Sequence, residues 1–175
     1  MDFGTVNLGV TVIKGRRSVR KYKDQPLPEK AVDDALVSAH MAPTARNAQP
    51  WLFGVVESKE TLAKISEITT DGMFIKDAQV CFAIFGEKDQ KFYVEDCSAA
   101  ATQLMLALWA HGVGSCWVAG NNMDYAEEIR VLMGVPEEYG LVALIPAGYP
   151  EEMTIPDKKD LDDVVFHENW GSQKK

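Results

Sequence analysis

From Cys97 to Ala110 the chain carries no charged residue. This stretch limits the possible folds more than any other, because a helix that is apolar all round has to be buried all round. The pattern predicts a helix from Tyr93 to His111, with Gly112 as its C-terminal cap residue. In a chain of 175 residues, one small core rarely surrounds a helix unaided. A second subunit covering one side is therefore favoured over a central helix in a monomer.

The rest of the chain supplies elements to pack against it. Val10 to Gly15 reads as a short helix. Pro28 opens another, whose apolar face is Ala31, Val32, Ala35, Leu36 and Ala39. Leu52 to Val56 reads as a strand, and Ser58 caps a helix reaching Ile68. Val80 to Phe85 is a continuous apolar run ended by Gly86, the mark of a strand buried on both faces. Ser115 to Ala119 reads as a further strand, Asn122 as the cap of a helix to Met133, and Leu141 to Ala147 as another strand. The tail from Tyr149 is polar apart from Val164, Val165 and Phe166, and reads as an arm crossing a surface. Helices and strands alternate irregularly, which predicts an α+β class. No repeat or linker divides residues 1–175, so one domain is expected.

A net charge of −8 argues against nucleic acid or an anionic membrane as partner. No apolar run approaches the roughly 20 residues of a membrane helix. Met1 to Val12 lacks the basic and apolar regions of a signal peptide. Cys81, Cys97 and Cys116 are widely spaced and form no Cys-x-x-Cys pair, which suits free thiols in a reducing, cytoplasmic setting. His40, His111 and His167 have no ligand spacing, so no metal site is expected.

Chemistry concentrates in two places. Of five arginines, Arg16, Arg17 and Arg20 lie within five positions, with Ser18 between them. Charge and hydroxyl together make an anion site, whereas the plainer alternative is a solvated basic turn. The second place is Ala42-Pro43-Thr44-Ala45-Arg46-Asn47-Ala48-Gln49-Pro50-Trp51. Its prolines fix the backbone and leave amides and polar side chains free to point into a site.

Arg-Arg-Ser-x-Arg-x-Tyr, a helix, and then Ala-Pro-Thr-x-x-Asn-x-Gln-Pro-Trp resemble, in order and spacing, the opening of the nitroreductase family. Gly112-Val113-Gly114-Ser115-Cys116-Trp117 after an apolar helix, and Gly148-Tyr149-Pro150 closing a strand, extend the resemblance over essentially the whole chain. It implies a nitroreductase-like mixed sheet flanked by helices, in an intertwined homodimer with C-terminal arm exchange. It also implies FMN at the dimer interface. Electrons would pass from NAD(P)H, a transient donor, to a small acceptor such as a nitroaromatic or quinone in a ping-pong cycle.

By that resemblance Arg16 and Ser18 hold the phosphate, Arg20 lies by the pyrimidine edge of the ring, and Arg17 lies nearby. Pro43, Thr44, Ala45 and Asn47 reach the ring from the partner subunit. Backbone at Val118, Ala119 and Gly120 lies by the reactive face. Members of the family often place an arginine near the C-terminus to complete the phosphate site. Here Lys158 and Lys159 stand in that region, and lysine supplies the charge without the bidentate fork. Flavin carries the redox chemistry, so no catalytic side chain is expected beyond a cation at Arg20 that stabilises the reduced ring. The contrasting reading is a flavin-binding storage or sensing module without turnover.

Overall fold

The structure is a computed structural model and describes residues 7–170. The first part of the Met1–Val12 reading, and the two ends of the expected single domain, lie outside the described residues.

Among the described residues, five α-helices and five strands make an α+β fold. The helices are α1 (Leu8–Gly15), α2 (Glu29–His40), α3 (Lys59–Ile68), α4 (Tyr93–Ala110) and α5 (Ala126–Leu132). The strands are β1 (Trp51–Val56), β2 (Val80–Glu87), β3 (Gly114–Ser115), β4 (Val118–Ala119) and β5 (Tyr139–Gly148). They form one sheet in the order β1-β2-β5-β3, with β4 also paired to β5. Every pairing between these strands is antiparallel. The parallel component of the sheet is a single bridge between Ser18 and Ser115.

Residues Val80 to Phe85 of β2 are all buried, as a strand covered on both faces requires. Their side chains alternate between two cores, following the period of two. Val80, Phe82 and Ile84 meet α2 and α4 through Ala35, Ala39, Ala101 and Leu104. Cys81, Ala83 and Phe85 meet α3 and α5 through Leu62, Ile65 and Ile129. The buried side of α2 is Ala31, Ala35 and Ala39, and these small residues allow α2 to lie close against α4.

Local signals placed most elements within a residue or two. Asn7 caps α1 by accepting from the Val10 amide at 3.1 Å. Ser58 caps α3 through the Thr61 amide. Gly112 follows α4 with φ of 73°, the left-handed turn expected of it.

Two expectations need correction. Asn122 does not cap α5. It takes a left-handed φ of 59° inside a turn where the Met123 amide donates to the Gly120 carbonyl, and the helix begins at Ala126 behind Tyr125. Ser115 to Ala119 is not one strand but the parts of two short ones in a single register with β5; the Cys116 amide still donates to the Pro146 carbonyl, but a proline has no amide to return a bond. The chain itself buries α4 on one side only, leaving the other for the second subunit that the sequence reading favours. Cys97, Ala100, Ala101, Leu104 and Leu108 are buried, while Ala99, Gln103 and Leu106 are only half-buried and Thr102 and Ala110 are exposed.

The segment after α1 belongs to the sheet despite its distance in sequence. The Val19 amide donates to the Ser115 carbonyl at 2.9 Å, and the Lys23 amide donates to the Tyr149 carbonyl at 2.9 Å. Tyr22 is buried, and its hydroxyl donates to the carbonyls of Val19 and Pro146. Gly114 lets the two segments meet. A Cβ there would lie 2.5 Å from Val19 Cγ2, closer than a side chain tolerates.

Candidate functional site

These contacts hold the basic segment as an extended edge, with Val19 and Tyr22 facing inward. Arg16, Arg17, Ser18 and Arg20 then line a cavity of about 410 Å³ together with Lys14, Thr154, Ile155, Pro156 and Lys158. Five cations and no carboxylate face this space, on a protein whose net charge is −8. Such a concentration focuses a positive potential suited to a multiply charged anion.

The arginines differ in how they are used. Arg16 Nη1 is buried and has no hydrogen-bond partner among the described residues. A buried unsatisfied donor on a cation is costly and calls for an acceptor beyond the described residues. Arg17 is already employed: its Nη1 donates to the carbonyls of Lys14, Gly15 and Arg16 at 2.8–2.9 Å, closing the C-terminus of α1. The Arg20 guanidinium sits 6.0 Å above the centre of the Phe74 ring. Burial pushes the Cys116 thiol above its ordinary range, while Arg20, a hydrogen bond from Ser18 and Arg16 pull against that rise. Cys116 therefore lies beside the same cluster.

The arm reaches the cavity from the other side. The Glu151 amide donates to the Lys21 carbonyl at 3.0 Å, and Lys21 pairs with Glu152 at 2.9 Å. These contacts deliver Thr154 to Pro156 and Lys158 to the lining. Of the two candidate lysines, Lys158 faces the cavity and Lys159 is not part of its wall.

Pro43, Thr44, Ala45 and Asn47 do not belong to this cavity, nor do Val118, Ala119 and Gly120. The loop is built separately, on the start of α4. Thr44 Oγ1 donates to Asp96 Oδ2 at 2.8 Å, and the Ala45 amide donates to both Asp96 oxygens at 3.1 Å. Arg46, Asn47 and Gln49 all have positive φ, between 51° and 59°. Ala119 is exposed on β4, and its carbonyl accepts from the Tyr125 hydroxyl.

Sequence reasoning missed Asp96, Lys14 and the stretch from Thr154 to Pro156. The signal for Asp96 was its place at the very edge of the uncharged run. An acid in the first turn of an apolar helix, on its buried side, has to find donors somewhere. Nothing in the local pattern around Thr154 foretold its return to the basic segment.

Among the described residues, no helix is long and apolar enough to cross a membrane. No group of His, Cys, Asp or Glu among them could hold a metal ion.

Comparison with known proteins agrees with this architecture. The chain is 38% identical over 165 residues to a protein of Methanothermobacter thermautotrophicus named "Putative NADH dehydrogenase/NAD(P)H nitroreductase", covering 90% of this chain and 85% of that one. It is 28% identical to an iodotyrosine deiodinase of Thermotoga neapolitana, covering 79% of this chain and 87% of the relative. The solved structure of an FMN-dependent nitroreductase from Clostridium difficile superposes with a TM-score of 0.86 at 32% identity, over 92% of this chain and 99% of that one. The sequence model of the nitroreductase family matches residues 13–83 and 73–149. The chain belongs to the nitroreductase family.

Proposed function

We propose that this chain is an FMN-dependent NAD(P)H oxidoreductase, and that the cavity at Arg16 is its phosphate site. The carrying observation is the buried Arg16 Nη1, unpartnered among the described residues, in a cavity that those residues wall with five cations and no acid. Those residues fit a terminal phosphate, whose oxygens would satisfy that donor. The similarity to an FMN-dependent nitroreductase and to a relative named for NAD(P)H supports the same reading. Bound flavin supplies the redox chemistry, taking electrons from NAD(P)H and passing them to a small acceptor such as a nitroaromatic or quinone, in a ping-pong cycle.

The chain's own residues bind and orient. Arg16, Ser18 and Lys158 grip the phosphate. Arg20 sets positive charge by the pyrimidine edge, where the reduced ring is richer in electrons. Val118, Ala119 and Gly120 form the wall at the reactive face. Pro43, Thr44, Ala45 and Asn47, outside their own chain's cavity, serve the site of a partner.

That division of labour requires a homodimer, and two surfaces support one. Ala99, Gln103, Leu106 and Ala110 form a stripe one or two turns apart on the open side of α4. From Glu151 to Trp170 every residue of the arm is exposed, including Ile155, Leu161, Val164, Phe166 and Trp170. A second copy would cover both, by packing along α4 and by exchange of arms. We further propose that the chain works as a single domain in the cytoplasm.

The purified protein is expected to be yellow, to release FMN on denaturation, and to bleach rapidly under anaerobic titration with NADH or NADPH. Stoichiometric FMN without bleaching would point instead to a storage or sensing module. A colourless protein that FMN fails to reconstitute would overturn the reading.

A further inference from the structure

Asp96 is the one charged side chain in the buried class among the described residues, at 8% exposure. Removing a carboxylate from water is costly unless donors replace the lost hydration. No cation lies within ion-pair distance of it among those residues. Its donors come instead from one short loop: the Thr44 hydroxyl and the Ala45 amide.

Thr44 links the two ends of that loop. Its hydroxyl proton is committed to Asp96, and its oxygen accepts the Gln49 amide at 3.0 Å. Between these anchors the backbone turns through Arg46, Asn47 and, at the far anchor, Gln49, three non-glycine residues in the left-handed region. That conformation is disfavoured for residues with a Cβ and persists only where its surroundings enforce it. Arg46 and Asn47 are exposed at the tip.

We propose that Asp96 is a positioning residue for the flavin-contacting loop. It acts through Thr44 and Ala45, fixing the left-handed turn that presents Arg46 and Asn47. The inference rests on the reading above, in which this loop meets the flavin held by a partner subunit. It changes the role of Thr44, whose hydroxyl works inside the clamp rather than as a donor to the cofactor.

The test uses the FMN-loaded protein with Asp96→Ala, Asp96→Asn, Thr44→Val and the Asp96→Ala/Thr44→Val double variant. Three quantities are read: the FMN dissociation constant, the visible circular dichroism of bound flavin, and the stopped-flow rate constant for its reduction at saturating NAD(P)H. Asp96→Ala should weaken FMN binding, alter the dichroism and slow reduction by up to roughly a hundredfold, the scale of a displaced positioning group. Asp96→Asn retains an acceptor for the Ala45 amide and should recover most of the loss. Thr44→Val should reproduce part of it, and the double variant should lose less than the sum of the two single losses, because both remove the Thr44–Asp96 bond.

Asn and Val variants carry the test if Asp96→Ala does not fold. Variants that lose thermal stability but keep wild-type affinity, dichroism and rate constant would show a merely structural residue. Additive losses in the double variant would likewise overturn the shared clamp. If the wild type binds no FMN, the functional reading fails and the clamp is judged by amide exchange. Protection of the Ala45 and Gln49 amides that disappears in Thr44→Val sustains it, and absence of protection in the wild type removes it.

Discussion

Val19 and Ser115 are joined by a 2.9 Å hydrogen bond from the amide of the first to the carbonyl of the second. Through it the basic segment is part of the sheet rather than a loop lying on it. The arginines on either side of Val19 inherit the rigidity of β5, with which Ser115 also pairs. Side chains on regular elements hold a binding geometry more tightly than those on free loops.

Gly114→Ala should separate these two segments. The added Cβ would meet Val19 Cγ2 at 2.5 Å and Val19 Cβ at 2.8 Å. Overpacking of this kind costs about 1–3 kcal/mol. Urea unfolding should show that loss, and FMN affinity should fall with it although no arginine has changed.

Arg16 and Arg17 should behave oppositely despite being neighbours. Arg16→Ala should weaken FMN binding by roughly 1.5–3 kcal/mol, the usual worth of a hydrogen bond to a charged group. Arg17→Ala removes the donor that closes α1 and should cost roughly 1 kcal/mol of folding stability, with little change in affinity. Calorimetric titration and thermal unfolding of both variants separate the two effects.

Arg20→Ala should lower the flavin midpoint potential by a few tens of millivolts, equivalent to roughly 1–2 kcal/mol for a two-electron couple. Its effect on FMN affinity should be smaller than that of Arg16→Ala. A dye-equilibration titration measures the potential. An unchanged value would make Arg20 only another phosphate contact.

Leu104 and Leu106 test the two sides of α4. Leu104 is fully buried in the chain's own core, so Leu104→Glu should bury an unpaired charge at a cost of several kcal/mol and unfold the protein. Leu106 is only half-buried. Leu106→Glu should leave a folded chain that light scattering finds monomeric and that has lost its flavin. A dimeric Leu106→Glu would move the interface elsewhere.

The thiols set an alkaline limit. Burial pushes Cys81 and Cys97 up to about 12 from an ordinary value of 9.0. In the unfolded chain they ionise near the ordinary value, so the stability they contribute is complete below it. That contribution is lost progressively as pH rises from there towards the folded values, because the unfolded state then binds fewer protons. Native protein should therefore resist alkylation at pH 8 and lose stability steadily above pH 9, as measured by denaturant midpoints. Replacing both cysteines with alanine should flatten the slope.

Much of this fold was legible locally. The continuous apolar run of β2 and the caps at Ser58 and Gly112 are each set by a few neighbouring residues. Asn122 misled because asparagine suits a left-handed turn as well as a helix cap, and only the contact with Gly120 decides between them. The arginine cluster could be read because it is continuous in sequence. Asp96 could not, because its partners are some fifty residues away and nothing near it reveals which loop it holds. Lys158 was distinguished from Lys159 only by the path of the arm after its pairing with Lys21.

Ser18 and Tyr22 bridge to Ser115 and Pro150, so residues made earlier are seated by residues made much later. A chain still emerging from the ribosome possesses its arginines long before it possesses the strands that aim them. The pocket is therefore assembled only once Ser115 and Pro150 have been made, and a product terminated before them would carry the charge cluster without the architecture to use it. Contacts this distant in sequence also slow folding relative to helical proteins of similar size.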